Sequence, residues 1–226
     1  MNSHAEGPAF TQPEHFAFTA ENRERANAYI AKYPEGRQAS AVLPLLDLAQ
    51  RQSGGWLPRA AMDHVAETLG MARIRVYEVA TFYTMFNLRP VGRYLLQVCT
   101  TTPCWLRGSD EVVAACEKKL GVGMGGTSED GLFTLVEVEC LGACVNAPIL
   151  QVNDDFYEDM DGSLTDTLID ALSVGRIPPR GSMIGRGGSA PLDGKKALLE
   201  PPAPPPLTTL EPAPEPKEGG ENANAG

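Results

Sequence analysis

No stretch of about eighteen consecutive apolar residues occurs in the chain, so no membrane-spanning helix is expected. The opening Met1-Asn-Ser-His-Ala-Glu6 has neither the basic and apolar blocks of a secretory signal nor the Arg-rich character of a transit peptide. A reducing cytosol is therefore the expected compartment. Cysteine is scarce, five in 226 residues, and the odd number argues against a disulfide framework. No C-x-x-C pair occurs, which removes the motif for thioredoxin-type dithiol exchange. Histidine is scarcer still: His4, His15 and His64 are scattered, and no nucleophile–base set stands out. Positive charge is also short, with 19 Lys and Arg against 29 Asp and Glu, a net charge of −10. That balance disfavours nucleic acid and anionic lipid and suits docking on other proteins.

What the chain does have is two close cysteine pairs, Cys99-Thr-Thr-Thr-Pro-Cys104 and Cys140-Leu-Gly-Ala-Cys144. Each pair can hold one metal ion from a single loop. Four thiolates spaced C-x4-C and C-x3-C suit two tetrahedral irons joined by bridging sulfides, a [2Fe–2S] cluster. A structural zinc site also takes four cysteines at spacings of this order, although its commonest signal is C-x2-C. On spacing alone iron–sulfur leads, and zinc and disulfides stay open. The fifth cysteine, Cys116, falls on a helical apolar face with Val112 and Leu120 and reads as a small buried hydrophobe.

The first part of the chain reads as helices. Residues 1–18 form an arm without pattern, with Phe16 and Phe18 as possible anchors. Thr19 is an N-cap candidate, followed by Glu21 and Glu24 in the first turn and Ala26, Tyr29, Ile30 and Tyr33 at helical spacing. Ser40 opens a second helix with Val42, Leu45, Leu46 and Ala49 on one face. Pro58 opens a third at its first position, with Met62, Val65 and Leu69 inward and Gly70 as the stop. A fourth spans 73–83, with Val76, Val79, Ala80 and Tyr83 inward. Residues 19–90 are thus expected to form a helical bundle. Ala66, Gly70 and Val76 match a helix-turn-helix by spacing, but Arg73 and Arg75 are poor equipment for a DNA groove on so acidic a chain. Plain helix packing is the better reading.

After Pro90 the period changes. Residues 93–98 read as a strand running into Cys99, 109–120 as a helix, and 132–139 as a strand delivering Cys140. Residues 148–152 and 156–158 are two further strands about a turn at Asn153, and a last helix starts at Ser163 and ends at Gly175. Short mixed sheets with packed helices fit this order, and residues 91–177 are expected to form a thioredoxin-like domain in an α+β chain. Both cysteine pairs then lie just after strands at neighbouring ends of one sheet. Gly121-Val-Gly-Met-Gly-Gly126 matches the dinucleotide fingerprint by letter but has a helix before it and a strand after, so it reads as a loop. Thr100, Thr101 and Thr102 are candidate donors to cluster sulfurs. Glu137, Glu139, Asp154, Asp155, Glu158, Asp159 and Asp161 are either charges that oppose an added electron or a solvated face. Eleven of the nineteen prolines lie beyond residue 177, and residues 178–226 are expected to be a disordered Pro-rich tail.

The stretch 65–104, with Val79-Ala-Thr-Phe-Tyr-Thr-Met-Phe86 and the first cysteine pair, resembles a known family, as does Glu139-Cys-Leu-Gly-Ala-Cys144 followed by Ala147-Pro148. These residues are similar to those of the thioredoxin-like [2Fe–2S] proteins that serve as the E subunit of bacterial NADH–quinone oxidoreductase, respiratory complex I. The resemblance covers about residues 16–177. It implies that Cys99 and Cys104 ligate one iron of the cluster and Cys140 and Cys144 the other, in a non-catalytic electron-transfer subunit. It also implies a flavoprotein partner that binds NADH and FMN, further peripheral-arm subunits, and a place on the cytoplasmic side of the inner membrane reached through the complex. Relatives of this kind also serve as diaphorase subunits of NAD-linked hydrogenases and formate dehydrogenases, and a free thioredoxin-like ferredoxin is a further alternative. Phe82, Tyr83 and Phe86 are candidate anchors between the two parts of the chain, with at least two of the three expected in the core.

Overall fold

The computed structural model of the chain describes residues 10–194. Four helices come first, α1 (Ala20–Ile30), α2 (Val42–Gln52), α3 (Arg59–Leu69) and α4 (Arg73–Phe82). Thr19 caps α1 as its sequence suggests, accepting a hydrogen bond from the Asn22 N–H at 3.2 Å. The start of α2 differs: Gln38–Ala41 winds as a 3₁₀ turn, and Ser40 lies inside it without capping. Pro58 precedes α3 by one residue, and the Gln12 side chain accepts from the Arg59 N–H at 3.0 Å. Gly70 ends α3 at φ +63°, where any Cβ would strain.

Leu45, Leu46, Val65, Val76, Ala80 and Phe86 share one buried core with their neighbours on these helices. Tyr83 departs from the expected inner face, because α4 stops at Phe82 and Tyr83 is already extended and 41 % exposed. Phe82 is more exposed still, so of the three aromatics only Phe86 enters the core. The arm is also less free than its sequence implies. Phe10 packs edge-on against Trp56, Phe16 and Phe18 pack against His64, and Gln52 donates to the Ala17 carbonyl at 2.8 Å. Residues 1–9 lie outside the described residues. Arg73 pairs with Glu67 at 3.0 Å and Arg75 with Glu78 at 2.8 Å, so carboxylates of the bundle itself engage both arginines of the helix-turn-helix lookalike.

The second part is a sheet with helices on it. Strands β1 (Tyr94–Cys99), β2 (Phe133–Val138), β3 (Leu150–Val152), β4 (Asp155–Glu158) and β5 (Gly181–Ser182) stand in the order β2-β1-β3-β4-β5. The outer pairs β1/β2 and β4/β5 are parallel, and the inner pairs are antiparallel. A short helix absent from the sequence reading, α5 (Thr102–Leu106), follows β1 directly. Helices α6 (Ser109–Leu120) and α7 (Gly162–Ser173) pack together, burying Val112, Cys116, Leu168, Ile169 and Leu172 against Leu96, Val98, Leu135 and Leu150. Asp161 rather than Ser163 caps α7, accepting from the Leu164 N–H at 2.7 Å.

Order also extends past Arg176. Residues 181–182 pair with β4 where a tail was expected, and Met183 packs on the sheet core. A separate unit begins at Ala190, where the Gly194 N–H closes a turn on the Pro191 carbonyl. The Pro-rich stretch from residue 195 lies outside the described residues.

Candidate metal centre

Parallel pairing brings the two cysteine loops to the same end of the sheet. Cys99 is the last residue of β1 and stands in register with Val138, the last residue of β2. Cys140 follows two residues later, so both loops leave adjacent parallel strands at their carboxyl ends. Cys104 sits in α5, which Pro103 helps to start, and Cys144 opens a 3₁₀ turn, Cys144–Asn146. Beneath the loops lies a small apolar floor of Cys99, Cys104, Ala147 and Ile149, with Leu141, Ala143 and Phe156 against it. The Ala147–Pro148 peptide, the bond whose isomer the sequence left open, is cis.

The sulfurs are provided with donors. The Thr101 hydroxyl lies 3.2 Å from the Cys99 sulfur, and the Gly142 N–H donates to the Cys140 sulfur at 3.4 Å. Burial pushes the Cys99 thiol up, but the Thr101 hydroxyl and amide, Cys104 and the Leu141 amide outweigh it and leave Cys99 below its ordinary value. Burial and the neighbouring Cys99 push Cys104 up to about 12. In the second pair the Gly142 amide and Cys144 lower Cys140, while Cys140 raises Cys144. Each pair thus sets one sulfur below its ordinary value beside one above it. The loops also reach each other, since Leu141 acts on Cys99 and Thr101 on Cys140.

This donor set fits a two-iron group. The Cys140 and Cys144 sulfurs are 3.3 Å apart. Two thiolates on one tetrahedral metal, with bonds of about 2.3 Å, stand roughly 3.7 Å apart, a small adjustment away. A lone zinc would need all four sulfurs at one point, whereas a two-iron cluster needs one pair at each of two points.

The remaining sequence candidates divide. Of the threonines, Thr101 reaches a sulfur, Thr100 donates to the Glu137 carboxylate, and Thr102 starts α5. Most of the acidic group is engaged rather than a free solvated face. Asp154 meets Arg51 at 2.7 Å, Asp155 meets Arg180 at 3.1 Å, Asp159 meets Arg186 at 2.6 Å, and Asp161 caps α7. The sequence reading missed Arg186, which lies in a glycine-rich run without periodicity, where only its charge could have drawn notice.

The profile of the family described as thioredoxin-like [2Fe-2S] ferredoxin matches residues 26–173. The chain belongs to this family. Membership gives it a [2Fe–2S] cluster as its cofactor. The E subunit of the NADH-quinone oxidoreductase of Rickettsia conorii is 59 % identical over 162 residues, covering 72 % of this chain and 97 % of that relative. NADH dehydrogenase [ubiquinone] flavoprotein 2, mitochondrial, of Dictyostelium discoideum is 48 % identical over 205 residues, 91 % of this chain and 83 % of the relative. A solved NAD+-reducing [NiFe]-hydrogenase in the H2-reduced state shares the fold over 60 % of this chain at 20 % identity and a TM-score of 0.52, the match spanning 23 % of the hydrogenase chain. Among the described residues of this thioredoxin-like ferredoxin chain no helix is long and apolar enough to cross a membrane.

Proposed function

We propose that the chain is an electron-transfer subunit of an NADH–quinone oxidoreductase, carrying its [2Fe–2S] cluster beside a flavoprotein that binds NADH and FMN. Cys99 and Cys104 take one iron in this reading, and Cys140 and Cys144 take the other. The observation that carries it is the placement of two sulfur pairs, with their amide and hydroxyl donors, at the carboxyl ends of adjacent parallel strands. Relatives at 58–59 % identity, named as E subunits of NADH-quinone oxidoreductase, support this parent enzyme over a hydrogenase or formate dehydrogenase. The chain works in the peripheral arm, on the cytoplasmic side. Residues 19–90 act as its bundle domain and 91–177, completed by the strand at 181–182, as its cluster domain.

The bound cluster accepts and returns one electron at a time, whereas hydride carries two, so a flavin must divide the pair. This chain's residues hold and shield the group. Cys99 and Cys104 are buried on the apolar floor, while Cys140 is exposed. Trp105 and Val145, each next to a motif cysteine, and Leu106 are exposed by more than half. An apolar rim at the open side of a metal centre suits a docked protein that excludes water. To test the reading, NADH is mixed with the purified chain and then with chain plus flavoprotein, and the EPR signal of the reduced cluster is followed. Reduction is expected only with the flavoprotein present; reduction by NADH alone, or failure of the two proteins to associate, contradicts the proposal.

A further inference from the structure

Residues 181–188 form a strap over the turn that carries the second cysteine pair. Met183 N–H donates to the Glu158 carbonyl at 3.0 Å, extending the β4/β5 pairing. Arg186 then turns inward. Its guanidinium, with the side chain 11 % exposed, meets the Asp159 carboxylate, 4 % exposed, at 2.6 Å, and it also donates to the Val145 carbonyl at 3.4 Å. The second Asp159 oxygen accepts from the Ser182 hydroxyl at 2.7 Å, and the Ser182 oxygen accepts from the Arg186 amide at 3.1 Å. The Asp159 N–H donates to the Asn146 carbonyl at 2.7 Å, and the Asn146 amide group donates to Glu158 at 2.6 Å and to the Gly188 carbonyl at 2.9 Å. Asp159 holds φ +55°, a conformation uncommon outside glycine.

Both residues that follow Cys144 are therefore gripped from one place: Val145 by Arg186, and Asn146 by Asp159 and Gly188. A buried ion pair contributes little net stability, because desolvating the two charges offsets their attraction. What it supplies is a fixed geometry, and here the geometry fixed is that of the Cys144–Asn146 turn.

We propose that Asp159 and Arg186 are positioning residues for the second cysteine pair, latching the Cys144 turn so that its sulfur stays aimed at the metal shared with Cys140. The proposal rests on the reading that Cys140 and Cys144 hold an iron. Groups that orient ligands without touching the metal commonly change metal affinity by about tenfold to a hundredfold when removed. The latch also differs from mere support of the fold in a measurable way.

The test uses the full chain with its cluster loaded, in the variants Arg186→Gln, Asp159→Asn and the two combined. The rate of iron loss to a chelator, the reduction potential, and the melting temperature of the cluster-free chain are measured. Each single variant is expected to release iron about tenfold faster. The two should shift the potential in opposite directions, because one removes a positive charge near the cluster and the other removes a negative one. The double variant removes both charges of the pair, so its melting temperature should recover while its iron loss stays fast. Iron retention at the wild-type rate in Arg186→Gln, or retention that recovers together with stability in the double variant, overturns the proposal. If neither single variant folds, the double variant decides alone. Cys144→Ala is run beside them: a normal cluster there refutes the ligand reading itself and takes the proposal with it, whereas its loss leaves the latch to be judged on its own variants.

Discussion

Cys116 differs from the other four cysteines in what surrounds it. It is fully buried between α6 and α7, and burial, with the charges of Asp166 and Glu117 nearby, pushes its thiol up to about 12. At pH 8 almost none of it is thiolate, and thiolate is the form that reacts and binds metal. Cys116→Ala should keep full iron content and cost about 1 kcal/mol in packing. Each of Cys99, Cys104, Cys140 and Cys144 changed to Ala should lose the cluster, since an iron would be left with one protein ligand. Iron analysis of the five variants checks this, and loss of iron in Cys116→Ala, or its retention in Cys140→Ala, would sink the assignment. The contrast was legible in the sequence, because Cys116 alone falls at helical spacing with Val112 and Leu120. The roles of Thr101 and Thr100 were not, since neighbouring hydroxyls of one loop point to different partners once α5 turns the chain.

At the scale of elements, Gly92 sets how closely β1 approaches β2. A Cβ built there would stand 2.7 Å from the Phe133 carbonyl carbon and 2.8 Å from its nitrogen, and the Gly92 N–H donates to the Thr134 hydroxyl at 2.7 Å. All three nearest atoms are backbone of Leu132 and Phe133, which leaves no flexible atom to give way. Gly92→Ala should cost roughly 2–3 kcal/mol, read as a lower urea midpoint, and an unchanged midpoint would contradict this packing. The strap is tested by truncation. Proline and glycine content marks the region after Arg176 as a tail, yet β5, Met183 and Arg186 are all built from it. Removing everything after Pro179 strips these and takes Ser182 and Arg186 away from the Asp159 carboxylate, so the melting temperature should fall by roughly 10 °C. Coincident melting curves would show that the strap contributes nothing. Helices and long strands were legible because periodicity reports a buried face, as Leu45, Leu46 and Ala49 do on α2. A strand of two residues has no period to read, and α5 is one turn around Pro103, so both escaped.

At the scale of the whole molecule, the described residues carry a core of helices and a core of sheet, linked by a polar contact at the surface. Arg51 of α2 forks onto Asp154 in the β3–β4 turn at 2.7 and 3.1 Å, but both side chains are at least half exposed, and such a pair adds at most about 1 kcal/mol. Phe82, read from sequence as an anchor or core residue, is instead 76 % exposed at the end of α4, beyond the core that α4 enters through Val76 and Ala80. Sequence patterning could place it on the helix but not report that the helix ends there. Two irons held by two sulfur pairs, rather than one ion held by four sulfurs, is the central claim. The most direct measurement is the low-temperature EPR spectrum of the full chain after reduction with dithionite, integrated against a spin standard. A silent oxidised protein that on reduction gives one S = 1/2 signal, about one spin per chain, is the result expected of a single [2Fe–2S] cluster. A colourless protein that stays silent on reduction and carries about one zinc per chain would contradict it.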